Sequence, residues 1–223
     1  MTTNKKAIIL GASGLVGSSL LQLLLDSPIY AQVVIFVRKD IGINHSKLVT
    51  HIIDFDQPQT YQDKVVGDEL FCCLGTTAKQ ARSDEAFRKV DFDYPVQFAQ
   101  LAQQNEVQHY LFVSSIGADK DASTFYLRTK GECEIAIMRA AIYATSIFRP
   151  SLLSGDRKEF RWGEKIALLV LKTFSRLLIG KFKKYKHIPS TQVALAMYAV
   201  AQQGKAALSI YESDEIQAIR KID

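Results

Sequence analysis

The sequence contains little cysteine and therefore no disulfide framework. Its three cysteines include the adjacent pair Cys72 and Cys73, which lies in the apolar run ELFCCLG. That run predicts a buried strand in which cysteine acts as a small hydrophobic residue, and we expect reduced thiols in a reducing compartment. No cluster of cysteine and histidine has the spacing of metal ligands, so no metal site is predicted.

The chain also lacks an uninterrupted apolar stretch of the kind that anchors a protein in a membrane. Lys5 and Lys6 precede 19 uncharged residues, Ala7 to Leu25, but glycine and serine interrupt this stretch repeatedly. It divides instead into KAIIL, a glycine-rich turn and LVGSSLLQLLL, which predict a strand, a loop and a helix. Without a credible signal peptide, we expect a cytoplasmic protein.

Charge of one sign is not in large excess. The net charge of +5, with 48% hydrophobic and 23% charged residues, is typical of a globular protein that buries a core. Much of the excess lies in GKFKKYKH, which contains Lys181, Lys183, Lys184 and Lys186. This cluster is either a solvated turn or a contact for phosphate, an anionic membrane surface or an acidic protein partner. It is too short to predict nucleic-acid binding.

Short apolar runs that are typical of strands alternate with helical patterns along most of the chain. The strand candidates are AIIL, VVIFV, HIIDF, LFCCLG, YLFVSS and ATSIFRP, and the helical segments include SDEAFRKVDFDYPVQFAQLAQQN and STFYLRTKGECEIAIMRAA. The strands are apolar on both sides, as expected when helices cover both faces of a parallel sheet. We therefore predict a single α/β domain, a Rossmann-type doubly wound parallel sheet with its core at about residues 5–160.

The pattern changes after Pro150. GEKIALLVLKTFSRLL and STQVALAMYAVAQQ predict two helices joined by the basic turn at 181–186, and SIYESDEIQAI predicts a short strand and a helix. We interpret residues 161–223 as a small C-terminal helical extension that caps a ligand crevice. Its first helix is apolar with a basic fringe, which favours core packing over binding to a membrane surface or a partner.

The segment IILGASGLVG carries three glycines, Gly11, Gly14 and Gly17, between a strand and a helix. Gly11 would allow the sharp exit from the strand, Gly14 the close approach of the backbone to a pyrophosphate, and Gly17 the close packing of the helix on the sheet. The start of the helix would bind the phosphates through its N–H groups and its dipole. The pattern predicts a dinucleotide site.

The end of the second strand bears on the choice of dinucleotide. NAD sites place an Asp or a Glu here for the ribose 2′-hydroxyl, whereas Arg38 and Lys39 stand here in IFVRKD. Cations at this point suit the 2′-phosphate of NADP. We predict NADP(H) as the preferred cofactor, and Asp40, one residue further on, leaves NAD(H) open.

Two further strand ends lie on the same side of the predicted sheet. Asp54 and Phe55 in IIDFD would border the adenine, and Leu74 and Gly75 in CLGTT lie where the chain would pass close to the cofactor. Ligands of doubly wound folds bind outside the carboxyl ends of the strands. All four residues are therefore candidate cofactor contacts.

A candidate catalytic group follows the fifth strand. Ser114 and Ser115 end YLFVSS, and in FYLRTKGE Tyr126 precedes Lys130 by four residues, which puts both side chains on one face of a helix. To reduce a carbonyl, a nicotinamide supplies a hydride and a tyrosine hydroxyl can supply the proton. A nearby ammonium stabilises a phenolate, and a serine hydroxyl holds the substrate oxygen. Since neighbouring side chains on a strand alternate, only one serine faces the crevice, and we assign Ser115 to the site.

These motifs resemble the short-chain dehydrogenase/reductase superfamily, specifically its atypical branch typified by the Tat-interacting oxidoreductase family. The resemblance is carried by LGASGLVG, FCCLGTT, VDFDY, SSIGAD, YLRTKGE and FRPSLLSGDRKEFRWGE, which fall between residues 9 and 164. It implies a Rossmann-type domain that binds NADP(H).

The resemblance also implies a role for each matching residue. The cofactor contacts would be Ser13, Gly14, Leu15 and Val16 at the pyrophosphate, Arg38 and Lys39 at the 2′-phosphate, Leu74 and Gly75 at the adenosine, and Leu153 and Arg161 at the nicotinamide or phosphate side. Tyr126 would be the proton donor and acceptor, with Lys130 beside it and bound to the nicotinamide ribose.

Two functions are compatible with these residues. The first is an NADP(H)-dependent oxidoreductase that reduces a small or lipophilic carbonyl substrate through Ser115, Tyr126 and Lys130. The second is a redox-sensing or regulatory NADP(H)-binding protein with little turnover, acting through a protein partner. The residues favour the first, and they are compatible with a monomer or a homodimer.

Overall fold

The computed structural model describes residues 4–154, 187–203 and 206–220. In chain order the strands of these ranges are β1 (Lys5–Leu10), β2 (Tyr30–Val37), β3 (Leu48–Ile52), β4 (Glu69–Cys72), β5 (His109–Val113), β6 (Ala144–Arg149), β7 (Leu153–Ser154), β8 (Ile188–Pro189) and β9 (Leu208–Glu212). The helices are α1 (Leu15–Asp26), α2 (Ala78–Ala81), α3 (Asp84–Arg88), α4 (Tyr94–Gln104), α5 (Phe125–Arg139), α6 (Ser190–Ala201) and α7 (Ser213–Ala218). A π-helical turn, Lys89–Asp93, joins α3 to α4, and short 3-10 turns occupy Pro58–Thr60 and Gln62–Lys64.

Seven of the strands form one parallel sheet, in the order β3-β2-β1-β4-β5-β6-β9, while β7 and β8 pair with each other. The chain runs outward from β1 to β3 on one side and from β4 to β9 on the other. This is the doubly wound arrangement, in which the order reverses between β1 and β4 and leaves a crevice at the carboxyl ends of the strands. The predicted Rossmann-type fold is confirmed.

Strand β1 shows why the sheet needs helices on both faces. Its side chains alternate, so that Ala7 and Ile9 pack into one hydrophobic core while Ile8 and Leu10 pack into the other. All four are fully buried. Helices α1 and α6 cover the first face, and α4 and α5 cover the second.

The third strand ends earlier than HIIDF predicts. Its last paired residue is Ile52, and one further backbone bond joins the amide of Ile53 to the carbonyl of Val37. Beyond this point the carboxylate of Asp54 accepts from the amide of Asp56 at 3.0 Å and from the side-chain amide of Gln57 at 3.3 Å, which bends the chain away from the sheet.

The C-terminal part differs from the expected cap where the structure describes it. The predicted helix in STQVALAMYAVAQQ is α6, but Val193 and Met197 pack into the same core as α1 rather than over the crevice. The predicted final strand and helix are β9 and α7, and β9 extends the main sheet next to β6. The segment GEKIALLVLKTFSRLL and the basic turn at 181–186 lie outside the described residues.

The three cysteines are free thiols inside the fold. Cys72 and Cys133 are fully buried, and burial raises the pKa of both thiols. They pack as small hydrophobic side chains in the core between the sheet, α4 and α5. Within the described ranges, no helix has the length and hydrophobicity needed to span a membrane.

Candidate functional site

The turn between β1 and α1 has no room for a side chain at two of its glycines. Gly11 has a left-handed backbone with φ of 76°, and a Cβ there would lie 2.6 Å from the carbonyl oxygen of Cys73. A Cβ on Gly17 would lie 2.1 Å from the carbonyl oxygen of Gly11, and the amide of Gly14 donates to that oxygen at 2.9 Å. The three glycines form one compact turn that brings the start of α1 against the end of β1.

The first turn of α1 leaves its N–H groups available to a ligand. Gly14 is the N-cap residue, no side chain caps the helix, and no acidic residue occupies its first turn. Ser13 is exposed and Leu15 is half-buried, whereas Val16 is buried and has only its backbone to offer. Free N–H groups and the positive end of the helix dipole suit a phosphate. This cradle, in which a Cβ would clash, fits the predicted dinucleotide.

Two exposed cations follow β2. Neither Arg38 nor Lys39 forms an ion pair or a side-chain hydrogen bond with any residue of the described ranges. The carboxylate of Asp40, by contrast, accepts from the amide of Gly42 at 3.0 Å and so helps to form its own turn. Because β2 pairs directly with β1, both unpaired cations follow the strand beside the glycine turn.

The two residues predicted to border the adenine lie beyond the end of β3. Asp54 is exposed. Phe55 is buried, and its ring packs against Tyr94 and Phe98 at centroid distances of 5.1 and 5.8 Å. Its ring is therefore part of the core, and Asp54 is the exposed one of the two, although both oxygens of its carboxylate accept hydrogen bonds within its own turn.

The chain leaving β4 passes close to the candidate catalytic lysine. Leu74 packs against the core, and Gly75 after it is exposed. A Cβ on Gly75 would lie 3.5 Å from Oδ1 of Asp91 and 4.0 Å from Nζ of Lys130. The absence of a side chain at Gly75 therefore keeps the approach to these two charged groups open.

Lys130 is a buried ammonium held by a buried carboxylate. Its Nζ lies 2.9 Å from Oδ1 of Asp91 and 5.1 Å from the centroid of the Phe112 ring. The other oxygen of Asp91 accepts from the amide of Thr76 at 2.8 Å. Lys130 and Asp91 are 3% and 1% exposed, so water screens their attraction only weakly.

The protonation of Lys130 follows from this pairing. Burial by itself lowers the pKa of the ammonium, but the charge of Asp91, with smaller contributions from Tyr126 and Cys133, outweighs burial and raises the pKa above its ordinary value. The side chain is therefore a fixed positive charge throughout the neutral range.

Tyr126 lies in the first turn of α5, one turn before Lys130. Thr124 caps the helix, its hydroxyl accepting from the amide of Leu127 at 3.4 Å. The Tyr126 ring packs on Phe87 with centroids 5.6 Å apart, and the residue is 41% exposed. Its hydroxyl makes no hydrogen bond with the part of the chain that the structure describes, which leaves it free to bind a ligand.

The two serines after β5 have different surroundings. Ser114 is buried, and its hydroxyl donates at 2.5 Å to Glu134, which is itself paired with Arg149 at 2.6 Å. Ser115 is half-buried, and its hydroxyl has one long contact of 3.4 Å with the carbonyl of Ile116. The alternation expected from the strand leaves Ser115 as the serine with an available hydroxyl.

The last two predicted cofactor contacts follow β6. Leu153 begins the short strand β7, is half-buried and packs against the core formed with α1. Arg161 lies outside the described residues, so its predicted contact with the cofactor stays a prediction.

Asp91 is the site residue that the sequence reasoning missed. It stands in VDFDY, a motif that entered only through the family resemblance. In the π-helical turn its carboxylate joins the backbone after β4 to the lysine of α5. A single Asp in a run of charged and aromatic residues does not indicate such a contact, because its partners are 15 and 39 positions away.

Comparisons with known proteins identify the family of this chain. A family model described as NAD(P)H-binding matches residues 11–158. Protein HTATIP2 of Rattus norvegicus is 36% identical over 168 residues, which covers 74% of this chain and 69% of that protein. Protein FMP52, mitochondrial, of Coccidioides immitis is 30% identical over 225 residues, covering 95% and 90% respectively. Because that relative is named mitochondrial, the cytoplasmic location of this chain stays a prediction.

Solved structures with a similar fold include nucleotide-binding enzymes. WbmF of Bordetella bronchiseptica, in complex with NAD+, has a TM-score of 0.70 at 14% identity, and the match covers 97% of this chain and 77% of the WbmF chain. The UDP-glucose 4-epimerase of Thermotoga maritima, with UDP-glucose, has a TM-score of 0.69 at 13% identity, covering 93% and 76%. At such identities the likeness extends to the fold alone.

One family assignment follows from the sheet order, the glycine cradle, the matching family model and the similar proteins. The chain belongs to the NAD(P)H-binding family, in the atypical branch of the short-chain dehydrogenases/reductases that includes the Tat-interacting protein.

Proposed function

We propose that the protein is an NADP(H)-dependent oxidoreductase that reduces a carbonyl compound at Ser115, Tyr126 and Lys130. The observation that carries this proposal is the buried Lys130, paired with Asp91, one helical turn from a tyrosine whose hydroxyl has no partner in the described chain. Tyrosines on a helix surface are common, but a lysine ammonium is seldom buried without a task that needs it.

Each side chain has a definite part in the reaction. The bound cofactor supplies a hydride for the carbonyl carbon. Tyr126 donates its phenolic proton to the carbonyl oxygen, so that the product is an alcohol and the tyrosine is left as a phenolate that solvent reprotonates. Lys130 stabilises that phenolate by its charge, and Ser115 donates a hydrogen bond to the substrate oxygen.

The preference for NADP(H) is supported by the two exposed cations after β2. Arg38 and Lys39 have no carboxylate partner in the described chain, whereas Asp40 already accepts a backbone hydrogen bond. A guanidinium and an ammonium attract a 2′-phosphate, which NADP carries and NAD lacks.

A carbonyl panel with a matched pair of variants tests the reaction. We expect the wild-type protein to oxidise NADPH with at least one aldehyde or ketone, followed by absorbance at the nicotinamide band. Tyr126→Phe should lower kcat by ~10²-fold or more, because it removes the proton donor, while nicotinamide fluorescence shows unchanged NADPH binding.

The control is Tyr143→Phe, a tyrosine that is 69% exposed and precedes β6 at the opposite edge of the sheet. Its activity should equal that of the wild type. Tight NADPH binding without turnover of any carbonyl would contradict the proposal and would favour the regulatory alternative.

A further inference from the structure

A small open pocket lies beside Tyr126. It has a volume of about 270 Å³ and is lined by Arg82, Ser83, Asp84, Phe87, Phe125 and Tyr126. It is formed by the start of α3 and the start of α5, two elements that do not follow each other in the chain. Since Tyr126 is one wall, anything bound here touches the residue that would donate the proton.

The pocket is an aromatic box. Phe87 is 3% exposed, and its ring meets those of Phe125 and Tyr126 at centroid distances of 5.7 and 5.6 Å, tilted by 60° and 56°. Aromatic pairs prefer such tilted arrangements, and the more accessible rings of Phe125 and Tyr126 offer a further ring a surface to pack on. The volume is below the range of pockets that hold drug-sized ligands, so it suits a single ring.

The rim of the pocket carries one charge of each sign. Arg82 and Asp84 are both exposed, and neither is engaged in an ion pair within the described ranges. Ser83 is already used, because its hydroxyl caps α3 by accepting from the amide of Ala86 at 3.1 Å. Because the charges of Arg82 and Asp84 balance among the described lining residues, the pocket favours a neutral ring over a carboxylate or a phosphate.

We propose that this pocket, the aryl pocket, receives the ring of an aromatic aldehyde or ketone whose carbonyl group is reduced at Tyr126. The inference rests on the proposed function and names its substrate class. It follows from the juxtaposition of three aromatic rings, one of them the ring of Tyr126, around one cavity of ring size.

The first test compares an aromatic and a straight-chain aldehyde in the NADPH-dependent reaction. The wild-type protein should show a kcat/KM for benzaldehyde roughly tenfold above that for hexanal, because ring packing adds up to about tenfold in binding to the simple burial of apolar area. Phe125→Leu keeps an apolar side chain of similar size on α5. It should reduce the preference to threefold or less, mainly through a higher KM for benzaldehyde.

The control for this variant is Tyr143→Leu, which removes an exposed ring far from the pocket and should leave the preference unchanged. Equal kcat/KM values for the two aldehydes, with Phe125→Leu altering neither, would overturn the aryl pocket while leaving the reductase function intact.

A binding measurement separates the pocket from the chemistry. Saturation-transfer NMR detects whether the ring of acetophenone binds to the NADPH-bound Tyr126→Phe variant. This variant keeps an aromatic ring at position 126 but lacks the proton donor, so binding is measured without turnover. The ring signals should appear in this variant and become weaker when Phe125→Leu is added. Ring binding without turnover of any carbonyl by the wild type would support the pocket and overturn the reductase function, and no ring binding would overturn the pocket.

Discussion

At the scale of single residues, the charge of Lys130 depends on Asp91. The carboxylate is buried with the ammonium and raises its pKa above the ordinary value of 10.5. A lysine whose pKa is raised by folding stabilises the folded state fully below its unfolded pKa, and that stabilisation is lost only as the pH rises through the folded value. The ion pair therefore stabilises the protein throughout the neutral range.

Asp91→Asn should convert Lys130 from a paired charge into an unpaired one. We expect the free energy of unfolding at pH 7 to fall by about 3 kcal/mol, since removing one partner of a buried ion pair leaves the other uncompensated. Burial then lowers the pKa of Lys130 below the ordinary value, so the variant should become more stable as the pH rises toward 10. Urea denaturation at pH 7 and pH 9.5 measures both effects.

Asp56→Asn is the matched control for this substitution. Asp56 forms an ion pair of similar length with Lys89, 2.8 Å, but both side chains are about half exposed. Solvent screens that pair, and its loss should change stability little at either pH. If Asp91→Asn behaved like the control, or lost the same stability at both pH values, Lys130 would not depend on Asp91 for its charge.

At the scale of elements, the crossover from β1 to α1 determines whether a phosphate cradle can form. The helix can approach the strand end only because Gly17 carries no side chain toward the carbonyl of Gly11. The same approach directs the first-turn N–H groups of α1 into the crevice between β1 and β4. Fold and cofactor binding thus depend on one contact.

Gly17→Ala should damage stability and cofactor binding together. Alanine is the better helix former by about 1 kcal/mol, but its Cβ would lie 2.1 Å from a backbone oxygen that cannot rotate away. We expect a net loss of about 2 kcal/mol in the free energy of unfolding and weaker binding of NADPH, measured by urea denaturation and by nicotinamide fluorescence.

Ser18→Ala makes an equally small change on the exposed side of the same helix. It should leave NADPH binding unchanged and stability within about 0.5 kcal/mol of the wild type. If the Gly17→Ala protein were as stable as Ser18→Ala, the turn would accommodate a methyl group at position 17, and the expected clash with the carbonyl of Gly11 would be wrong.

At the scale of the whole molecule, each edge of the sheet has a tyrosine near a lysine and a carboxylate, but the group at the amino edge is structural. At the amino edge, Glu69 is fully buried, pairs with Lys5 at 2.6 Å and accepts a hydrogen bond from the hydroxyl of Tyr30. Burial and the charge of Glu69 raise the pKa of Tyr30 far above its usual value, so this tyrosine keeps its proton. The group links the starts of β1, β2 and β4 and has no exposed hydroxyl to offer a substrate.

Cofactor binding at the other edge should stabilise the whole fold. A ligand that binds only the folded state raises the melting temperature in proportion to the logarithm of its affinity. If NADPH binds about tenfold more tightly than NADH, saturating NADPH should raise Tm by roughly 3–5 °C more than the same concentration of NADH. Arg38→Ala should remove that difference, as measured by differential scanning fluorimetry.

Arg139→Ala controls for the loss of an exposed arginine, since Arg139 ends α5 at the amino edge of the sheet. It should retain the difference between the two nucleotides even if its own Tm changes. Equal shifts with NADPH and NADH in the wild type, or a difference that survives in Arg38→Ala, would contradict a 2′-phosphate site at Arg38.

The sequence alone determined the features that depend on neighbours along the chain. Five of the parallel strands, several helices between strands and the final strand and helix were predicted correctly, because β-branched runs and helical periodicity are local properties. The third strand was predicted at 51–55 and lies at Leu48–Ile52. The glycine turn was predicted for the same reason, since the spacing of Gly11, Gly14 and Gly17 matters within a single crossover.

Only the tertiary structure decided which polar residues meet. Both Tyr30 and Tyr126 have a lysine and a carboxylate nearby, but Glu69 is 39 positions from Tyr30 and Asp91 is 39 positions from Lys130. Such contacts form when the sheet and helices assemble, and no local sequence pattern predicts them. The same assembly brought β9 beside β6 and α6 onto α1, because their apolar side chains could be buried there. It left Tyr126 at the carboxyl edge, with a hydroxyl that no described residue binds.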